Sequence, residues 1–197
     1  MIQKIILASG SPRRRELMTR IGFNFQYVTS DIKEDFTDDP DFGHQAMRLA
    51  AMKAYNVANI YDEAYIIGAD TIVVLDGVIY GKPKDADDAR NTLRALSGRK
   101  HQVITGVALV NKRESLCERF FETTDVYFRK YGDEFINWYI ETEEPFDKAG
   151  SYAIQGKGCL MTEKIDGDYD NVVGLPVSRL FQHLIKSGIK PGGLHEF

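Results

Sequence analysis

Leu7-Ala8-Ser9-Gly10-Ser11-Pro12-Arg13-Arg14-Arg15-Glu16-Leu17 joins an apolar run to a helical pattern. Before it, Ile2 to Leu7 reads as a buried first strand. After it, Leu17, Met18 and Ile21 share one helical face. Pro12 suits a first turn, where the missing N–H costs nothing, and Ser11 is a natural N-cap. Three arginines then fall in the first turn, against the macrodipole, which favours carboxylates there. The same charges are well placed if the helix start receives an anion, because N–H groups, hydroxyls and guanidinium forks converge on phosphate. Ser9-Gly10-Ser11, just before, favours that reading over a solvated basic turn. A strand, an anion-binding turn and a helix open an α/β fold.

The same alternation continues outward. Gly22 ends the helix, and Phe23 to Thr29 reads as a second strand. Residues 30–41 form an acidic stretch holding Asp31, Glu34, Asp35, Asp38, Asp39 and Asp41. Phe42 to Ile60 is the longest helical pattern, apolar at Ala46, Leu49, Ala50, Ala54, Val57 and Ala58. Tyr65 to Leu75 is one long strand or a pair, and Asp76-Gly77 is a strong hairpin signal leading into Val78 to Tyr80. Asp85 to Leu96 is a helix. His101 to Val110 and Ser115 to Phe128 are strands, and a helix follows from Gly132 to Glu141 until Glu143-Glu144-Pro145 breaks it. Short strands are expected at Tyr152 to Ile154 and Cys159 to Ile165, with a loop over Gly167 to Pro176 and a last helix over Val177 to Lys186. Hairpins beside strand–helix alternation predict a single α/β domain over residues 1–197, with a mixed twisted sheet and flanking helices.

Composition narrows the function. The 197 residues are 43% hydrophobic and 27% charged, with net charge -4, which predicts a soluble globular chain. A negative balance argues against a broad nucleic-acid surface, so the arginines are a local feature. No apolar run reaches membrane-spanning length, and Met1-Ile2-Gln3-Lys4 has no signal-peptide character. Cys117 and Cys159 fit a reducing cytoplasm, a single disulfide being the alternative.

Asp70 is the sharpest anomaly. It sits inside Ile66-Ile67-Gly68-Ala69-Asp70-Thr71-Ile72-Val73-Val74, and a buried charge without a partner is too costly to keep. It is a metal ligand or general base at a strand end, or an Asx turn between two strands. Gly68 admits a close backbone or ligand. Lys82, between Gly81 and Pro83, reads equally as a surface lysine. Lys53 lies beside Ala50 and Ala54 on the small face of the long helix, where snorkelling is the commoner case. Small residues and a polar amide over Asp147 to Gly156 suit a pocket wall that reads a planar polar ligand, with Gln155 expected as a buried amide.

Taken together, Leu7 to Arg14, Gly68-Ala69-Asp70-Thr71, Lys82-Pro83, Leu96-Ser97-Gly98, Asp147-Lys148-Ala149-Gly150, Gln155-Gly156 and Val173-Gly174-Leu175-Pro176 resemble the signature of the Maf family. The resemblance runs from about Ile2 to Leu184 in the family's order. It implies a Maf/ITPase-like fold of two lobes around a central cleft. The implied activity is a pyrophosphatase that splits a nucleoside triphosphate to the monophosphate and pyrophosphate, as a homodimer with a divalent metal, Mg²⁺ or Mn²⁺. The family is historically linked to septum formation. By the same resemblance Asp70 is the proton acceptor, and Glu34, Lys53 and Lys82 support metal and phosphates, with Asp70 and Glu34 as metal ligands. Ser9, Ser11, Arg13 and Arg14 form the triphosphate loop, and Arg13, Thr71 and Gln155 set base choice. Ala149-Gly150-Ser151-Tyr152-Ala153-Ile154-Gln155-Gly156 resembles the branch acting on dTTP and UTP. Gln155 offers a donor and an acceptor, suited to the edge of a pyrimidine. The competing reading is a nucleotide-sensing regulator of division without turnover; among enzymes, it is a phosphatase releasing single phosphates.

Overall fold

The computed structural model describes residues 4–32, 37 and 39–194. In chain order the elements are β1 (Ile5–Leu7), α1 (Pro12–Arg20), β2 (Gln26–Tyr27), α2 (Phe42–Ala58), β3 (Tyr65–Leu75), β4 (Val78–Tyr80), α3 (Ala86–Leu96), β5 (Lys100–Asn111), β6 (Leu116–Phe128), α4 (Asp133–Glu141), β7 (Thr162–Asp166), α5 (Tyr169–Val173) and α6 (Val177–Lys186). The strands form a seven-stranded mixed sheet in the order β2-β1-β3-β5-β6-β7, with β4 on β3. The chain divides into two compact units: Met1–Asp70, Thr105–Glu122 and Gly174–Phe197, and Thr71–Ile104 with Thr123–Val173.

In the first unit, β1 pairs in parallel with both β2 and β3. Helix α2 buries its small face, Ala46, Ala50, Ala54 and Ala58 with Leu49 and Val57. It packs on the sheet through a cluster that includes Ile6, Ala8, Ile66, Ala108 and Val110. Two glycines set how close it comes. A Cβ at Gly68 would lie 2.1 Å from the Ala50 carbonyl oxygen, and one at Gly106 would lie 2.2 Å from the Ala46 carbonyl carbon. Only a strand without side chains at those points admits the helix backbone.

In the second unit, β3 and β4 make the expected hairpin. Asp76 and Gly77 at its tip have φ of 50° and 77°, the left-handed pair that a two-residue turn of this hand requires. His101 is buried among Phe128 and Tyr152, with ring centroids at 4.7 and 5.5 Å. Its Nε2 shares a hydrogen bond with the Tyr152 hydroxyl at 2.9 Å. Burial pushes its pKa down to about 4.

Five sequence readings are corrected. The second strand shrinks to Gln26–Tyr27, because both residues are exposed at a sheet edge and β1 offers only three residues to pair with. Tyr152 to Ile154 is not a strand, and β7 starts only at Thr162. The N–H groups of Ala153, Lys157 and Gly158 bond to the side chains of Tyr139 and Glu144 instead of to a ladder. The loop expected over residues 167–176 contains α5, opened by the Asp168 carboxylate accepting from the Asp170 N–H at 2.8 Å. Cys117 and Cys159 are free and exposed, so the disulfide alternative falls.

Gly106→Ala is expected to cost at least about 1–3 kcal/mol, the usual range for overpacking, since the new methyl meets helix backbone that cannot rotate away. Urea unfolding measures it, with Gly81→Ala, which has open space around it, as the near-neutral control. Equal midpoints would show that α2 yields freely. His101 generates a second expectation. Its folded pKa lies below the ordinary 6.5, so between these values the unfolded chain binds a proton that the folded chain refuses. Stability therefore falls as pH drops from about 6.5 to about 4, by on the order of 3 kcal/mol. His101→Gln should flatten that part of the curve of melting temperature against pH; an unchanged slope would place its cause elsewhere.

Candidate active site

Strand β1 delivers the chain into the Ser9–Arg15 turn, and α1 begins at Pro12. Ser11 is the N-cap, its hydroxyl accepting from the Arg14 N–H at 3.5 Å, and no carboxylate stands in the first turn. Ser9 is buried, and its Oγ accepts from the Ser11 N–H at 3.2 Å and from Arg14 Nη1 at 3.4 Å. The three arginines do different work. Arg14 donates from Nε to the Gly174 carbonyl at 2.7 Å and from Nη1 to the Ala69 carbonyl at 2.9 Å. It ties the turn to β3 at the residue before Asp70 and to the Val-Gly-Leu-Pro segment. Arg15 lies over the Tyr27 ring at 4.3 Å. Arg13 is half-buried in the first turn itself.

Asp70 is 5% exposed on β3. Side chains two apart on a strand share a face, so Asp70 points the same way as Gly68, the residue pressed on α2. The helix meets it there with Lys53, whose Nζ donates to Oδ1 at 2.6 Å. This ion pair meets the requirement that a buried charge be matched, and it rules out Asp70 as a mere turn residue, because β3 runs unbroken through it for 11 residues. A carboxylate held in this way can accept a proton or ligate a hard cation.

The divalent metal that the resemblance implies requires oxygen ligands. Among the described residues no group of three His, Cys, Asp or Glu gathers in metal-ligating reach. Mg²⁺ at nucleotide sites is held by one or two carboxylates plus substrate phosphates, not by an all-protein cage. Asp70 fits that mode. Glu34, the second expected ligand, lies outside the described residues.

The second unit carries the other expected residues. Thr71 follows Asp70 on β3 and is half-buried. Lys82 is exposed in the turn after β4. That turn is tied to the Asp147–Ser151 segment by the Gly150 N–H donating to the Gly81 carbonyl at 3.1 Å. Gly150 and Ser151 have φ of 70° and 59°. A Cβ at Gly150 would lie 2.8 Å from the Val73 side chain, so the segment lies against β3. Gln155 is exposed on a tight turn closed by the Gly156 N–H donating to the Ala153 carbonyl at 3.1 Å, not buried as expected. One group and one role escaped the sequence reading. Glu144 had only marked a helix break, yet it binds the Gln155 turn; Arg14, read for phosphate, also grips two backbone carbonyls. Both roles depend on partners remote in sequence, and no local signal announces them.

The chain is similar to known proteins over nearly all of its length. The pattern of the family described as Maf-like protein matches residues 4–187. A dTTP/UTP pyrophosphatase of Caldanaerobacter subterraneus subsp. tengcongensis is 50% identical over 189 residues, covering 95% of this chain and 91% of that one. One from Alkaliphilus oremlandii is 51% identical over 180 residues, covering 91% and 93%. One from Bacillus pumilus is 45% identical over 190 residues, covering 96% and 100%. In fold, the Ham1 protein of Staphylococcus aureus superposes with a TM-score of 0.55 at 14% identity, covering 94% of this chain and all of that one. An arginine-rich helix start tied to the strand that carries a lysine-paired aspartate thus stands in a chain that belongs to the Maf-like protein family.

Proposed function

We propose that the protein is a nucleoside triphosphate pyrophosphatase that hydrolyses dTTP and UTP to the monophosphate and pyrophosphate. One observation carries the reading: the buried Asp70–Lys53 pair stands on the strand that Arg14 ties to the arginine-rich start of α1. The near-half identity to enzymes named for dTTP and UTP supports the substrate choice.

The chemistry follows from charge and reach. A nucleoside triphosphate carries about four negative charges, which cationic side chains and N–H groups at a helix start neutralise. Arg13, Ser9 and Ser11 are the groups of the first unit suited to hold phosphate oxygens, while Arg14 keeps their turn in register with Asp70. A water oxygen attacks the α-phosphorus, the bond to the bridging oxygen of the β-phosphate breaks, and pyrophosphate leaves. Asp70 takes the proton of the attacking water. Lys53, its Nζ 2.6 Å from Oδ1, orients that carboxylate. When a divalent cation is bound, Asp70 would hold it together with phosphate oxygens, and it would supply Lewis-acid charge stabilisation. By the family resemblance, Lys82 is read as a phosphate-supporting charge, and Thr71 and Gln155 as residues of base choice. The enzyme works in the cytoplasm as a homodimer on free nucleotides, with neither nucleic acid nor membrane as partner. Among the described residues no helix is long and apolar enough to cross a membrane.

Ion chromatography of a UTP or dTTP digest with Mg²⁺ is expected to show pyrophosphate and the monophosphate as first products, and EDTA to stop their release. Orthophosphate and UDP would instead make the protein a phosphatase, and no turnover on a panel of triphosphates would make it a binder. Asp70→Asn is expected to lose roughly 10²–10⁴-fold in turnover, the usual worth of a positioned base. The amide oxygen still accepts from Lys53, so circular dichroism should report a folded chain. Near-wild-type turnover of the variant would remove Asp70 from the chemistry.

A further inference from the structure

We propose that Glu144 is a positioning residue for base choice, its carboxylate being the post around which the turn that bears Gln155 is folded. The inference rests on Gln155 reading the base, and its test keeps the two claims apart.

The post is built at the end of α4. Glu143 has φ of 61°, which turns the chain out of the helix, and Pro145 follows Glu144 at the start of a 3-10 turn. The Glu144 N–H donates to Thr142 Oγ1 at 3.3 Å. Its side chain then turns toward the 153–158 segment. Oε1 accepts from the Tyr139 hydroxyl at 2.8 Å and from the Gly158 N–H at 3.0 Å. Oε2 accepts from the Lys157 N–H at 3.0 Å. The Tyr139 oxygen, donating to Glu144, itself accepts from the Ala153 N–H at 3.1 Å. Three backbone N–H groups, one before Gln155 and two after it, therefore end on one carboxylate and its phenol partner. Burial pushes the Glu144 carboxyl up, but the Gly158 N–H, the Tyr139 hydroxyl and the Lys157 N–H outweigh it and hold its pKa below the ordinary value. It is an anion at working pH and so accepts every bond it is offered.

The glycines of the turn match this clamp. A Cβ at Gly156 would fall 2.3 Å from Glu144 Oε2. A Cβ at Gly158 would fall 2.6 Å from the Ala153 carbonyl oxygen and 2.9 Å from the Tyr139 hydroxyl. At Gly156 the backbone closes on the carboxylate, and at Gly158 on the Ala153 backbone and the Tyr139 hydroxyl, because no side chain intervenes. Gln155 itself is exposed. An exposed amide on an unheld turn would sample many positions and discriminate little; hung on a fixed backbone, it presents donor and acceptor in one place. Neither Glu144 nor Tyr139 needs to touch a nucleotide for this.

The test compares kcat and KM for UTP and GTP in Glu144→Gln, Tyr139→Phe, Gly156→Ala, Gln155→Ala and the double variant Glu144→Gln/Gln155→Ala. Amide hydrogen exchange at residues 153–158 is followed in the same proteins. Glu144→Gln keeps the size but loses one acceptor; Gly156→Ala leaves Glu144 intact and drives a methyl against it. Both are expected to speed exchange of the Lys157 and Gly158 amides. They should also lower kcat/KM for UTP by about 10- to 100-fold, the scale of a misplaced contact, mainly through KM, with GTP little changed. On a Gln155→Ala background, Glu144→Gln should add almost nothing for UTP. Equal losses on both nucleotides, or a full additional loss in the double variant, would make Glu144 a scaffold residue and overturn the proposal while leaving Gln155 as the reader. If Gln155→Ala leaves the ratio of UTP to GTP efficiency unchanged, base reading by Gln155 fails and the positioning claim falls with it. Should Glu144→Gln not fold, Gly156→Ala and Tyr139→Phe decide the matter by the same criteria.

Discussion

The first unit depends on a backbone-to-backbone contact: α2 lies directly on β3 and β5, where Gly68 and Gly106 remove the side chains that would hold it off. Everything near the candidate base follows from that closeness. A helix riding at the usual side-chain distance would leave Lys53 out of reach of Asp70. Pressed onto the glycines, it sets the ammonium 2.6 Å from Oδ1. The pair matches a charge that the apolar run around it could not tolerate alone, and small residues on α2 make the approach possible. Packing and site chemistry are here one arrangement.

The arginines show how one run of identical charges is divided by tertiary structure. The macrodipole disfavours all three at a helix start. Arg14 is compensated by carbonyl oxygens of Ala69 and Gly174, and Arg15 by an aromatic face. These contacts turn an electrostatically awkward segment into a brace between the β1–α1 turn and the strand of Asp70. The brace explains why the Val173-Gly174-Leu175-Pro176 segment, far away in sequence, belongs with the first motif: it supplies a carbonyl, not a side chain.

The second unit solves a different problem. Its 144–161 segment has almost no regular ladder, so its N–H groups need other acceptors. Glu144 and Tyr139 provide them for the Gln155 turn, and the Gly81 carbonyl provides one for Gly150. The His101–Tyr152–Phe128 cluster packs beneath the same segment and contributes an imidazole that stays neutral. Polar posts and aromatic packing replace strand pairing, which frees exposed positions such as Gln155 from structural duty.

Periodicity and composition were enough for the helices α1, α2, α3, α4 and α6, for the long strands and for the Asp76-Gly77 hairpin. Each of these is written in local spacing: apolar residues at helical or alternating intervals, a cap or a glycine at the ends. The same local logic marked Asp70, because a carboxylate among β-branched residues is anomalous wherever it lies, and it marked the arginine-rich start of α1. Local spacing could not say that Lys53 is the partner of Asp70, that Arg14 grips two carbonyls, or that Glu144 rather than its neighbour Glu143 holds a turn. Those choices are made by contacts between segments separated by 17, 55, 160 and 14 residues. A one-dimensional pattern records which side chains could serve. Which of them does serve is settled only when packing brings donor and acceptor within about 3 Å of each other.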